Sequence, residues 1–169
     1  MGNERWRDIP GYEGAYQVSD RGRARSLPKR AFKGTRTLKP RPQRGYQRVH
    51  LSVDGQVKEF KIDVLVLMAF VGLRPPGMES CHEDGIPSHN WPENLRWDTH
   101  KGNHSDRIRH GTSNRGEKHG NSKLKSHNII QIRYLRRICK WKQQRIAQAF
   151  GCARTRISMI CSGRAWGHI

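Results

Sequence analysis

Short alternating runs broken by Gly and Pro dominate the first third of the chain. In "WRDIPGYEGAYQVSDRGRARSL" the runs "YQVS" and "RARSL" stand between tight-turn residues, so short strands joined by turns are predicted. Alternation is clearest in "RVHLSV" and "VKEFKI", which flank Asp54-Gly55, a dipeptide suited to a two-residue hairpin turn. "DVLVLMAFVG" has a different pattern. Val64, Leu65, Leu67, Met68 and Phe70 crowd together, as in a short buried helix, and a buried strand has the same pattern. "MESCHED", "GIPSHNWPEN" and "NLRWDT" then read as strand, loop and strand. A short helix is predicted from near Thr99 to a stop at Gly111.

Beyond Gly111 the stretch "TSNRGEKHGNSKLK" has no core pattern and is expected to be extended when free. Ser126 is the residue expected to cap a helix over "HNIIQIRYLRRIC". Next, Ile146, Ala147 and Phe150 share one helical face, Gly151 supplies a turn, and Ile157 and Ile160 share a face of a second helix. Two short helices about a glycine turn make a helix-turn-helix, whose second helix would lie in the DNA major groove; a plain helical hairpin has the same pattern.

Composition narrows the architecture. Apolar residues are only 34% of the 169, with 17 Gly and 8 Pro, so small modules are expected in place of one large core. Cys81, Cys139, Cys152 and Cys161 form no CxxC pair, which argues against a zinc finger or disulfide framework and suits a reducing cytosol. No stretch resembles a signal peptide or a membrane span, so a soluble, cytoplasmic protein without a membrane partner is expected. The net charge of +19 is unevenly placed: from Arg107 onward, 15 Lys and Arg face Glu117 alone. A solvated basic tail has that composition too, but the apolar periodicity of "IIQIRYL" and "QRIAQAFG" indicates a folded basic region. The usual partner for such a region is nucleic acid, bound through phosphate neutralisation. An RNA-binding protein would share this charge.

Candidate chemistry concentrates in "CHEDGIPSHNWPENLRWDTHKGN", Cys81 to Asn103. Phosphodiester hydrolysis needs a group that deprotonates water near neutral pH, and imidazole, with an ordinary pKa of about 6.5, is suited to it. It also needs a cation against the phosphate charge, usually a divalent metal on a few hard ligands with open positions left. A strand can present the base and a helix folded across it can supply a ligand.

In "CHEDG", "NWPENLRWDT" and "HKGN" this stretch resembles the HNH endonucleases with a ββα-metal fold, in particular the phage homing endonucleases. The opening segment resembles the N-terminal module that often precedes such nuclease domains. "GEKHGNSKLK" and the following helices resemble their DNA-binding tail, so the resemblance covers most of the chain. It implies an α+β chain of small modules. These are an antiparallel β module over 1–45, a nuclease core over 46–110, an extended DNA-tracking linker over 111–125 and a helix-turn-helix domain over 126–169. It further implies a site-specific endonuclease that nicks or cuts double-stranded DNA in the host-cell cytoplasm. A monomer is expected, with a dimer left open, and the cofactor is Mg²⁺ or Mn²⁺. A non-catalytic DNA-binding regulator with a degenerate HNH fold is the alternative.

Carried over by position, His82 matches the general base, Asn94 the central Asn that supports the loop and orients the histidine, and Asn103 the helix residue that binds metal. Cys81 stands where the family has an Asp or His ligand. Thiolate suits softer ions such as Zn²⁺. Cys81 is therefore open to three readings: a ligand for such an ion, a non-ligand beside Asn103, waters and phosphate oxygens, or the mark of a weakened nuclease. A buried packing role is also open to it. Asp63 stands where relatives often have His. Arg154, Thr155, Arg156 and Ser158 are the expected major-groove contacts, and Arg115, Lys118, Lys123 and Lys125 the phosphate or minor-groove contacts. Arg96 fits a phosphate contact or an ion pair with Asp98 or Glu93. Trp91 and Trp97 are expected to pack the small domain.

Overall fold

A computed structural model describes residues 3–28 and 33–169. The first strands are short: β1 (Trp6–Asp8), β2 (Tyr16–Ser19), β3 (Ala24–Ser26) and β4 (Arg36–Thr37) pair antiparallel in sequence order. A second antiparallel sheet holds β5 (Arg41–Gln43), β6 (Tyr46–Val53) and β7 (Gln56–Lys61). Asp54 and Gly55, with φ of 51° and 75°, join β6 to β7. Two successive left-handed residues match the right-handed twist of the strands they connect, which is why Asp-Gly is favoured there.

The stretch that fitted helix or strand is a helix, α1 (Ile62–Phe70), and none of its residues is exposed. Strands of two to four residues cannot bury a face alone, and α1 resolves this by serving both sheets. Its Ile62, Leu65, Val66 and Leu67 share one buried cluster with Ile9, Val18, Val49, Leu51 and Leu95. The separate small cores expected from composition are therefore, over the first part of the chain, a single core. Asp63 is buried on α1 and accepts a hydrogen bond from Ser80 Oγ (2.8 Å).

After α1 a hairpin and helix complete this unit. β8 (Met78–His82) pairs antiparallel with β9 (Leu95–Thr99), in a register that sets Glu79 opposite Asp98, Cys81 opposite Arg96 and His82 opposite Leu95. α2 (His100–Arg109) starts at Thr99, whose Oγ1 accepts from the Gly102 amide (3.1 Å), and the chain leaves the helix before Gly111.

The chain divides into two compact units, Met1–Thr112 and Ser113–Ile169. The second contains α3 (Ser126–Arg137), α4 (Gln143–Ala149) and α5 (Arg154–Cys161) around Ile129, Ile132, Ile146, Ala147, Ile157 and Ile160. Gly151, at φ 59°, turns the chain between α4 and α5. Ser126 is not the cap of α3 but its first helical residue. Lys125 holds the cap position, and the side chain of Asn128 reaches back to accept from its amide (2.8 Å). Part of the stretch expected to be extended is folded, since Ser113 and Leu124 are buried and Leu124 joins the helical core. No helix among the described residues is long and apolar enough to cross a membrane.

Candidate active site

The loop from β8 to β9 is held by Asn94, which ends the short helical turn Pro92–Asn94 and is 6% exposed. Its Oδ1 accepts from the Asp84 amide (3.2 Å), and its Nδ2 donates to the His89 carbonyl (2.9 Å) and to Asp84 Oδ1 (3.1 Å). Its own carbonyl accepts from the Glu83 amide (2.9 Å). Asp84 also accepts from the Ile86 amide (2.9 Å) and pairs with His89 Nδ1 (2.6 Å). Burial pushes the Asp84 carboxyl up, but these donors together outweigh it and hold it at about 2. The residue that follows His82 by two positions is thereby anchored.

His82 ends β8 and is 8% exposed. Its Nε2 lies 3.1 Å from Oδ1 of Asn90, which is 3% exposed. The Asn90 Nδ2 donates to Gln47 Oε1 (3.3 Å), so the amide oxygen is the atom turned to His82. An acceptor there requires the imidazole proton on Nε2 and leaves Nδ1 as the basic nitrogen. Asn90 is also a contact of the first β module: a Cβ on Gly22 would stand 2.7 Å from Asn90 Cβ, a close approach that only glycine permits. Neither Asn90 nor Gln47 stood out in the sequence. Asn90 was one more turn former in a turn-rich loop, and Gln47 lies on a strand 43 residues away.

Alternation along β8 puts Glu79 and Cys81 on the face opposite Ser80 and His82. Cys81 is 2% exposed, and burial pushes its thiol up to about 11, so it is neutral at pH 7. Its Sγ and carboxylate oxygens of Asp98 and Asp106 lie within 4.8 Å of one another. Those carboxylates already carry a cation. Arg96 pairs with Asp98 (2.9 Å) and, more closely, with Asp106 and Glu83. A metal ion among them would meet the guanidinium. Burial works against the charge of Arg96, but its three acidic partners more than offset this. Arg96, expected at a phosphate or in an ion pair with Asp98 or Glu93, pairs among the described residues with Asp98, joined by Asp106 and Glu83.

A neutral, buried thiol does not fit a hard divalent ion. The oxygens beside it do. Asn103, in the first turn of α2, donates from Nδ2 to Glu79 Oε2 (2.9 Å), and Glu79 Oε1 lies 3.1 Å from His100 Nδ1. The Asn103 hydrogen bond, followed by that of His100, holds the Glu79 carboxyl below the usual range. Glu79 and Asn103 line a groove of about 450 Å³ with Tyr46, Arg48, Lys61 and Arg74. Glu59 also lines it and pairs with Arg48 Nη1 (2.7 Å), while the Arg48 Nε is buried without a partner among the described residues. Tyr46, whose ring is 6.1 Å from that of His82, lies between the groove and that histidine. Trp97 packs on the core and donates from Nε1 to the Gly72 carbonyl (3.0 Å), whereas Trp91 is exposed beside His89.

In the second unit, Arg154, Thr155 and Arg156 are exposed on the first turn of α5 and Ser158 is half-buried. Arg115, Lys118, Lys123 and Lys125 are exposed ahead of α3. Arg115 and Arg156 meet on one concave surface of about 670 Å³, with Arg164 and His168. Glu117 is the only acidic residue of this unit, so the surface is strongly positive.

Residues 4–52 match the family described as the NUMOD4 motif. The DNA endonuclease I-HmuI of Bacillus phage SP01 is 36% identical over 128 residues, which are 75% of this chain and 71% of that protein. A solved structure described as "DNA binding and cleavage by the HNH homing endonuclease I-HmuI" is similar at a TM-score of 0.55 and 29% identity. The match covers 94% of this chain and 90% of the other.

Proposed function

We propose, on the premise that this chain belongs to the HNH homing endonuclease family and is a DNA endonuclease, that His82 is its general base and that the second unit supplies recognition. The reading rests most on one observation: a buried His82 whose Nε2 is engaged by Asn90, leaving Nδ1 to accept a proton. A water at Nδ1 gives its proton to the imidazole as its oxygen bonds to phosphorus, and the bond from phosphorus to the leaving oxygen breaks. A positioned base of this kind contributes about 10²–10⁴-fold. Asn94 fixes the loop that carries Asn90, and Asn90 fixes the tautomer. Lys61 and Arg74 draw the phosphate into the groove, where Arg48 is paired with Glu59. A divalent ion with Asn103 among its ligands would neutralise charge on the phosphate and the leaving oxygen.

Arg154, Thr155, Arg156 and Ser158 then face base edges in a major groove, and Arg115, Lys118, Lys123 and Lys125 take phosphates. With one His82 per chain, a monomer nicks one strand of double-stranded DNA. The test selects DNA fragments that the protein retains, then incubates them with Mg²⁺, Mn²⁺ or EDTA. Metal-dependent nicking of retained DNA is expected. Retained DNA left intact with every metal would favour the DNA-binding regulator, the reading that buried Cys81 permits.

A further inference from the structure

We propose that Glu79, in place of Cys81, supplies the protein carboxylate of the divalent-metal site shared with Asn103. The proposal rests on the endonuclease reading above and identifies a ligand that the motif does not contain. The residue before the base is the expected ligand, yet here it is a thiol enclosed by Asp98, Asp106 and Arg96, which turns toward the Glu79 carbonyl (3.9 Å). Coordination through Cys81 would require the guanidinium to leave two carboxylates.

Two residues earlier on the same strand face, no such rearrangement is needed. The Glu79 Oε2 and the Asn103 Nδ2 are 2.9 Å apart. Neighbouring ligands of an octahedral ion with bonds of about 2.0–2.1 Å also stand roughly 2.9 Å apart. Turning the Asn103 amide over exchanges Nδ2 for Oδ1 and sets two hard oxygens at that spacing with little backbone movement. The imidazole of His100 lies at the other carboxylate oxygen, 3.1 Å away, where it can hold Glu79 in place or add a nitrogen ligand. The site opens on the groove that also holds Lys61 and Arg74, with Arg48 paired to Glu59 (2.7 Å), so a phosphate entering beside Lys61 and Arg74 reaches the ion's open positions. Carboxylate, amide oxygen and water are the donors Mg²⁺ and Mn²⁺ take.

The experiment measures Mn²⁺ binding by the full chain, by electron paramagnetic resonance of the free ion, for wild type, Glu79→Gln, Cys81→Ser and Asn103→Ala. Glu79→Gln retains an oxygen that accepts from Asn103, so the start of α2 is preserved while the anionic ligand is lost. Mn²⁺ affinity is expected to fall about tenfold or more in Glu79→Gln and in Asn103→Ala, and to change little in Cys81→Ser. Co²⁺ added to wild type is expected to give no thiolate-to-metal charge-transfer band, a reading that depends on no variant. Wild-type affinity in Glu79→Gln, a charge-transfer band abolished by Cys81→Ser, or no Mn²⁺ binding by wild type would each overturn the assignment. Metal-dependent nicking of retained DNA by the same wild-type protein separates these results from failure of the endonuclease reading. Nicking with Glu79 uninvolved rejects the ligand alone.

Discussion

Replacing Asn90 by alanine removes the atom that decides which nitrogen of His82 is basic. Two hydrogen bonds are lost, the 3.1 Å contact to His82 Nε2 and the 3.3 Å contact to Gln47. Both partners lie away from water, with Asn90 3% and His82 8% exposed. A buried donor left without its acceptor costs about 1–3 kcal/mol, and that penalty falls on the tautomer with its proton on Nε2. The proton can then move to Nδ1, the atom that the proposed mechanism requires to take it from water. A bias of about 1.4–2.8 kcal/mol against the active tautomer corresponds to roughly a 10–100-fold fall in the chemical step. Losing the imidazole altogether is expected to cost more, about 10²–10⁴-fold. The assay is single-turnover nicking of DNA that the protein retains, paired with an affinity measurement on the same fragment. Asn90→Ala is expected to slow nicking by that 10–100-fold at unchanged affinity, and Asn90→Asp, which keeps an acceptor oxygen, to recover most of the rate. Wild-type nicking by Asn90→Ala, or parallel loss of rate and affinity, would refute the tautomer argument.

Two further outcomes follow from the same loop and strand. The Asp84 carboxyl stands at about 2 in the folded chain against an ordinary 3.8, so its ionised form stabilises the fold above the ordinary value, and that stabilisation is lost as pH falls through the folded one. With its side chain 32% exposed, the contribution is on the order of 1–2 kcal/mol. The difference in Tm between wild type and Asp84→Asn should therefore shrink between about pH 5 and about pH 2.5, and a constant difference would contradict it. Cys81, buried and neutral with its thiol at about 11, should resist alkylation in the native protein while exposed Cys139 reacts; rapid labelling of Cys81, read by peptide mass, would show its burial to be wrong.

Local physics made much of the fold readable. Asp54-Gly55 between alternating runs, Thr99 before α2, and apolar faces about Gly151 are signals that act within a few residues. The motif around His82 likewise pointed to the family. What the sequence withheld depends on contacts between distant segments. Periodicity does not distinguish a helix buried all round from a buried strand, so the role of α1 as the centre of two sheets was not visible in "DVLVLMAFVG". Ser126 looked like a cap because Ser caps well in isolation, but Asn128 captured the amide of Lys125 first. Gln47 reaches Asn90 only after β6 packs beside the nuclease loop. Glu79 was one acid among fourteen until α2 brought Asn103 and His100 to it. The setting of Cys81 was similarly hidden, because Asp106 and Arg96 meet it only across the hairpin and helix.

Cleavage and affinity measured together on His82→Ala, with Mn²⁺ and DNA that the wild type both retains and nicks, bear on the assignment of the base with the fewest intervening assumptions. Nicking should fall by about 10²–10⁴-fold while affinity stays within about twofold, since the proposed reading assigns recognition to the second unit and to phosphate contacts that this substitution leaves in place. Retained nicking would remove His82 from the chemistry. An equal fall in nicking and affinity would make it a structural histidine and leave the protein without an identified base.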